Sequence, residues 1–217
     1  SHKGLKKGAF WYRIFAEKTG KKEFREAFMT NQGKNAVDTL LAESFKELAE
    51  KQPIEKITIK EITDKAGVIR PTFYNHFQDK YELLEWIIKK EALEPMIPLL
   101  QHGMVEQALV LLFTTMEHGK NFYVRASKLE GQNSFESIIR NSFREILQHL
   151  LAGLGVSRSS KYKWLTTERI AEYYANSICY VIMTWIRTGM TVPPAEFAEV
   201  YVYTMKHSME EIVGDMI

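Results

Sequence analysis

Residues 58–83 read TIKEITDKAGVIRPTFYNHFQDKYEL, a stretch that decides how the first half of the chain folds. Thr58 is followed three residues later by Glu61, which is the spacing of a capping box, so a helix is predicted to begin there. Gly67 is predicted to end this helix, because glycine adopts a positive φ without a Cβ clash. Pro71 fits the first turn of the next helix, where its missing N–H is not needed.

Helices are also predicted on both sides of this pair. Before it, apolar residues recur at helical spacing from residue 35 to residue 51, and that helix should stop ahead of Pro53. After it, Asp79 and Glu82 repeat the capping-box spacing and open a helix that runs through Ile88. Four helices are therefore predicted before the chain reaches residue 95.

The rest of the sequence also favours helices, and no run shows the alternation of a sheet protein. Helices are predicted over residues 105–117, 122–129, 135–151, 168–188 and 195–213. Because Pro95 and Pro98 interrupt the pattern, a domain boundary is placed there. The expected fold is all-α, with one helical domain over residues 29–94 and a second over residues 95–217.

Composition narrows the class of protein. The 217 residues include one cysteine, Cys179, so no intrachain disulfide can form and a reducing compartment is indicated. No apolar stretch is long enough to span a membrane and no secretory signal is evident, so a cytoplasmic location is expected. The net charge is only +2, so a claim of nucleic-acid binding must rest on local groups.

Residues 1–28 stand apart, with eight basic residues against three acidic ones. Ser1 and His2 resemble the remnant of a tag, and Met29 is a natural place for translation to start. This segment is interpreted as an extension outside the core fold. Its aromatic cluster is expected to dock on the body or on a neighbouring chain, and a basic arm in a DNA minor groove is the alternative.

The helix that follows the turn has two different sides. On a wheel of about 100° per residue, Phe73 and Phe77 share one side and are predicted to point into a small core. Thr72 and Asn75 lie opposite, where an amide can pair with adenine and a threonine methyl can touch thymine. Two helices joined by so short a turn fit a helix-turn-helix, whose second helix enters the major groove.

The flanks of this helix suit contacts to the phosphate backbone. Tyr74 and His76 lie on either side and would reach the groove walls, and Lys80 in the next helix could contact a phosphate. A small helical core with merely solvated polar residues is the alternative for any single position. The full set of expected DNA contacts is Thr58, Arg70, Thr72, Tyr74, Asn75, His76 and Lys80.

The same residues carry a resemblance to a known family. The pattern resembles the N-terminal signature of TetR/AcrR-type transcriptional regulators, and it reads Ile59-x2-Ile62-x3-Ala66-Gly67-Val68-x3-Thr72-Phe73-Tyr74-x-His76-Phe77-x2-Lys80-x2-Leu83. The resemblance implies a homodimer that binds a near-palindromic operator. It also implies an N-terminal helix-turn-helix DNA-binding domain over residues 29–94 and a helical regulatory and dimerisation domain over residues 95–217, which would also sense a signal. It also implies that Thr72, Tyr74, His76 and Lys80 touch DNA.

Three positions call for separate treatment. Thr63 stands where the family usually has alanine, so its hydroxyl must find a partner. Ile69 stands where the family often has a serine, and the loss of such a cap typically costs ~1 kcal/mol. Arg70 precedes a proline and is predicted to be extended, free to reach a phosphate or guanine.

The resemblance implies that the last two long helices dimerise as a four-helix bundle. The first of them is apolar on several sides, which is typical of a helix buried on more than one face, although a central helix of a monomer is the alternative. The expected dimer contacts are Tyr174, Ile178, Val181, Trp185, Val202 and Met205. The expected lining of an effector pocket is Met116, Phe122, Phe135, Phe143 and Tyr173, although such residues are more often plain core.

A sequence-specific repressor modulated by a small effector is the leading hypothesis. The segment with Trp185, Gly189, Pro193, Pro194 and Glu196 resembles the DhaS-type branch of the family, which implies a signal from a partner protein instead. An enzyme is not expected, because no histidine pair has metal-ligand spacing and no glycine-rich phosphate loop follows a strand. Neither a cofactor nor a metal is expected.

Overall fold

The computed structural model describes residues 35–131, 133–153 and 162–216, and the predictions for residues 1–28 lie outside these ranges. Within them all regular structure is helical and there is no strand, which confirms the all-α prediction. The α-helices are α1 (Asn35–Ala49), α2 (Ile59–Ala66), α3 (Arg70–His76), α4 (Lys80–Ile87), α5 (Ile97–Gln101), α6 (Val105–His118), α7 (Lys120–Ala126), α8 (Phe135–Gly153), α9 (Thr167–Arg187), α10 (Pro194–Lys206) and α11 (Met209–Gly214).

The predicted signals set the ends of α2. Thr58 is extended, its hydroxyl accepts from the Glu61 N–H, and the Glu61 carboxylate accepts from the Thr58 N–H, so the capping box is complete. Gly67 ends the helix with φ 68°. The hydroxyl of Thr63, which is 2% exposed, donates within 3.0 Å of the carbonyls of Ile59 and Lys60. A local partner thus satisfies the buried hydroxyl.

The start of α4 differs in one detail from the predicted capping box. Asp79 caps the helix by accepting from the N–H groups of Tyr81 and Glu82. The Glu82 carboxylate accepts from the N–H of Gln78 and not from that of Asp79. The helix nevertheless begins at the predicted place, because the N-cap side chain already satisfies two of the unpaired N–H groups.

The chain stays helical across the segment where a domain boundary is predicted. After α4 it forms a π-helix at Ile88–Leu93 and a 3-10 turn at Glu94–Met96 before α5 begins. The prolines lie in first turns, where they remove no helical hydrogen bond. The π segment is tied to α1 by an ion pair of 2.6 Å between Lys46 and Glu91.

The second half is built from two helix pairs, with α8 packed along α9 and α6 packed along α10. Trp185 of α9 is 1% exposed and packs between Phe113 and Phe197, at ring-centroid distances of 5.2 and 5.3 Å. Its indole N–H donates to the carbonyl of Val192 at 2.9 Å. The side chain of Trp185 therefore packs α9 against α6 and α10 of the same chain.

The single helix predicted over residues 195–213 is two helices, α10 and α11, in the structure. The first ends at Lys206, because Ser208 is extended and forms a second complete capping box with Glu211. Among the described residues, no helix is both long and apolar enough to cross a membrane.

Candidate nucleic-acid interface

Two phenylalanines anchor α3, the second helix of the predicted helix-turn-helix, in the core of the domain. Phe73 and Phe77 are 0% and 4% exposed, with ring centroids 5.9 Å apart. Phe77 also meets the edge of Trp86 in α4, with ring centroids 6.0 Å apart. Burial of these rings fixes which side of α3 faces outward, as the helical wheel predicted.

The outward side of α3 presents polar groups. Tyr74 is 47% exposed, Asn75 is exposed and Thr72 is half-buried. The Arg70 guanidinium donates to the Tyr74 hydroxyl at 3.0 Å and lies 5.5 Å from the centre of its ring. Because no carboxylate among the described residues pairs with Arg70, its charge remains available to a phosphate or a guanine.

The prediction that Arg70 is extended is wrong. The helix begins at Arg70, and the extended residue is Ile69, with ψ 152°. A residue before a proline prefers an extended backbone but is not confined to it. Here Arg70 adopts the helical conformation as the first residue of α3. As predicted, Ile69 makes no capping hydrogen bond through its side chain.

Lys80 is placed differently from the prediction of a phosphate contact. Its ammonium donates to the carbonyls of Ile54, Glu55 and Ile57 at 2.9, 2.6 and 2.8 Å. An ammonium has three N–H donors, so all of them are used inside the protein. Lys80 thus holds the turn before α2 against the start of α4, and this corrects its predicted role.

His76 also has an internal partner. Its Nδ1 lies 2.6 Å from a carboxylate oxygen of Asp38 in α1, and the two side chains are 15% and 10% exposed. Thr58 lies at the exposed start of α2, but its hydroxyl donates to the Glu61 carboxylate at 2.7 Å. A DNA contact by either residue stays a prediction.

The carboxylate of Glu61 is strongly stabilised in its charged form. Hydrogen bonds from the Gln52 amide, then from the N–H and hydroxyl of Thr58, lower the pKa of Glu61 to about 2. The nearby Lys60 pairs with Asp64 at 2.6 Å, and this hydrogen bond raises the pKa of Lys60. The cations of α2, Lys60 and Lys65, therefore both pair with carboxylates.

The second half contains an apolar cavity of about 90 Å³ between α5, α6, α8, α9 and α10. Of the five predicted pocket residues, only Phe143 lies in its lining. Met116, Phe122 and Phe135 are core residues with exposures of 0–3%, and Tyr173 is 69% exposed. The prediction is corrected accordingly, because aromatic residues at helical spacing mark core as readily as they mark a pocket.

The predicted dimer contacts divide into two groups. Ile178, Trp185 and Val202 are 3%, 1% and 6% exposed and pack in the subunit's own core, so they are not available to a partner. Tyr174, Val181 and Met205 are half-buried. On α9 and α10, the large apolar side chains that face outward are Tyr173 and Tyr180, with exposures of 69% and 72%, and Val200, with 51%.

Two family models match this chain. Residues 43–87 match the bacterial regulatory proteins of the tetR family, and residues 104–207 match the C-terminal region of a transcriptional regulator of that family. The first match spans the capped helices, the glycine turn and α3. The chain belongs to the TetR family of transcriptional regulators. Members of this family bind DNA.

Two curated relatives resemble the chain. The transcriptional activator DhaS of the dhaKLM operon of Lactococcus lactis subsp. lactis (strain IL1403) is 26% identical over 166 residues, which are 75% of this chain and 87% of DhaS. The uncharacterized HTH-type regulator YxbF of Bacillus subtilis (strain 168) is 47% identical over 47 residues, 22% of this chain and 12% of YxbF.

Solved structures have the same fold. The dihydroxyacetone kinase operon activator DhaS superposes with a TM-score of 0.53 at 22% identity, covering 77% of this chain and 91% of DhaS. NalD, the secondary repressor of the MexAB-OprM multidrug efflux pump in Pseudomonas aeruginosa, superposes with a TM-score of 0.52 at 20% identity, covering 81% and 96%. At these identities the likeness shows the fold of a TetR-family regulator.

Sequence reasoning missed Asp38. This carboxylate is 7% exposed, and it is the only charged residue in the buried class among the described residues. A signal was present, because Asp38 lies three residues before Leu41 and seven before Phe45, on the buried side of α1. A charge on that stripe needs a partner, and His76 is that partner.

Proposed function

We propose that the protein is a homodimeric, sequence-specific repressor whose affinity for its operator is lowered by a small apolar effector. The observation that carries the DNA-binding part is the division of α3 into a buried aromatic side and an exposed polar side with Asn75 at its centre. Two such helices, one from each subunit, would sit in successive major grooves of a near-palindromic operator.

The cavity supports the effector and indicates its class. The lining has no polar surface, and it includes the flexible side chains of Met96 and Met205. At about 90 Å³ it is smaller than the roughly 300–1,000 Å³ of pockets for drug-sized ligands. Methionine adapts its shape readily, so a small apolar molecule would enter by moving these two side chains.

The effector's signal has a physical route to the DNA-binding helices. Met96, in the cavity wall, belongs to the 3-10 turn that directly follows the π segment. The π segment carries Glu91, which pairs with Lys46 of α1. An effector acts only through different affinities for two states, and a shift of this segment would change the position of α1.

The first test is selection of bound sequences from a random duplex pool at a stated salt concentration. A two-fold symmetric motif is expected, with an affinity that falls steeply as salt rises. Asn75→Ala should lose ~1–3 kcal/mol at one base position, and Tyr74→Phe should weaken all sequences alike. Equal losses on operator and random DNA for Asn75→Ala would remove the base-reading role from this residue.

A second candidate function is regulation by a partner protein instead of a small ligand. The small size of the cavity and the similarity to DhaS over 75% of the chain favour it. The two candidates differ in a measurement on the purified protein. A small apolar ligand that raises the melting temperature and weakens operator binding supports the effector, whereas an operator affinity that changes only with an added protein supports the partner.

A further inference from the structure

A buried hydrogen-bonded pair, Asp38 and His76, joins α3 to α1. Asp38 and His76 lie 38 positions apart in sequence, and their side chains approach to 2.6 Å through the imidazole Nδ1. The side chains are 10% and 15% exposed, so water screens the pair weakly. His76 is the last residue of α3, next to the surface that faces DNA.

This contact leaves His76 a single ring nitrogen for DNA. Nδ1 is occupied by the Asp38 carboxylate, so only Nε2 can meet a phosphate, and a phosphate accepts hydrogen bonds but does not donate them. When the pair holds one proton, that proton lies between Nδ1 and the carboxylate, and Nε2 presents a lone pair. A lone pair facing a phosphate gives no hydrogen bond.

A hydrogen bond from Nε2 to phosphate therefore requires a second proton on the pair. The second proton yields either an imidazolium beside the carboxylate or an Nε2–H imidazole beside a protonated carboxyl group. Both arrangements hold one proton more than the singly protonated pair. The proton balance is thus the same whichever microscopic form prevails.

We propose that Asp38 is a positioning residue for DNA binding, which orients His76 so that its phosphate contact forms only when the pair holds its second proton. The inference rests on the DNA-binding role of α3. Asp38 holds the ring through Nδ1, so Nε2 is the nitrogen left for a phosphate. At a pH where the free pair holds one proton, binding of DNA by each subunit should take up about one proton as this contact forms.

The charged groups on the neighbouring elements have other partners. On α3, Arg70 donates to Tyr74. On α4, the Asp79 carboxylate caps the helix and Lys80 donates to three carbonyls. On α2, the cations Lys60 and Lys65 pair with carboxylates at 2.6 and 2.5 Å. Asp38 is therefore the charged group that bears on His76.

The test is the affinity of the full chain for a selected operator duplex between about pH 5.5 and 8.5 at constant salt, a range centred near the ordinary pKa of histidine. Affinity should fall with rising pH by about tenfold or more. The glutamine in His76→Gln donates through Nε2 at every pH, so its affinity should lose most of this dependence. His102→Gln, a histidine on the surface beyond α5, is the matched control and should keep it.

Asp38→Asn separates orientation from charge. The amide oxygen can still accept from Nδ1 but carries no charge, so this variant should keep the orientation of the ring while the pH dependence of its affinity differs from that of wild type. Circular dichroism at each pH checks that every variant is folded. If the wild-type protein binds no duplex at any pH, the proposed function fails. If it binds with an affinity independent of pH, or if His76→Gln keeps the wild-type profile, the role of the pair is overturned.

Discussion

The ammonium of Lys80 occupies a position where three backbone carbonyls converge, those of Ile54, Glu55 and Ile57. Burial lowers the pKa of Lys80, and the negative charges of Glu55, Asp79 and Glu61 partly offset this effect. The side chain therefore stays charged near neutral pH and links the turn before α2 to α4.

Lys80→Met keeps the aliphatic stem but leaves the carbonyls without their donor. Hydrogen bonds to a charged group contribute roughly 1.5–3 kcal/mol when buried, and partial solvent exposure reduces this. We expect a loss of about 1–2 kcal/mol in the free energy of unfolding, measured by urea denaturation. Lys60→Met is the matched control, because Lys60 forms an exposed ion pair, and it should change stability little. Equal stability of both variants would contradict the stabilising role of the three hydrogen bonds from Lys80.

At the scale of single residues, sequence reasoning placed the aromatic core of α3 correctly, but it did not find the internal partners of His76 and Lys80. The positions of Phe73 and Phe77 follow from helical periodicity alone. The partners of His76 and Lys80 depend on contacts with α1 and with the turn before α2, 38 and 23–26 positions away in the chain. A pattern read along one helix does not contain such distant contacts.

At the scale of helices, the capping box of α2 makes stability depend on pH. The pKa of Glu61 is about 2 in the folded protein, below the roughly 4.3 of an ordinary glutamate. A lowered carboxyl pKa stabilises the fold above the unfolded value, and this stabilisation is lost as the pH falls from about 4.3 toward 2. The melting temperature should therefore drop over this window.

Glu61→Gln removes the titrating group and keeps a side chain that can complete a capping box. We expect a lower melting temperature than wild type at pH 7 and a smaller drop on acidification, followed by thermal denaturation at each pH. Glu43→Gln, on the exposed side of α1, should show the same dependence of melting temperature on pH as wild type. If Glu61→Gln also showed this dependence, the capping box would add nothing to the stability of the fold.

Helix ends with a side-chain or glycine signal were predictable, and ends set by packing were not. Thr58, Gly67 and Asp79 mark ends of α2 and α4, where local chemistry satisfies the free backbone groups. The π-helix at Ile88–Leu93 has no such local signal; Ile88, Ala92 and Leu93 are buried, and the segment contacts α6. The break before Ser208 has a capping-box signal in the sequence. The prediction nevertheless gave one helix over residues 195–213, because the apolar spacing on both sides of Ser208 is helical.

At the scale of the whole molecule, the apolar residues of α9 and α10 form two sets, one buried inside the subunit and one exposed on its surface. Trp185 and Ile178 stabilise the subunit from within, whereas Tyr173, Tyr180 and Val200 face outward on α9 and α10. Apolar side chains this large on adjacent helices need cover to stay out of water. A second copy of the chain, related by a two-fold axis, would supply that cover with the same surface.

Tyr180→Glu tests this arrangement. The side chain is 72% exposed, so the subunit should fold as before, but a carboxylate in a two-fold interface would meet its own copy. We expect the protein to sediment as a monomer at micromolar concentration and to bind a half-site as wild type does, while losing the added affinity for a full operator. Leu40→Glu is the control, because Leu40 is 49% exposed on α1 and should leave the dimer intact. A dimeric Tyr180→Glu protein would move the interface away from this part of α9.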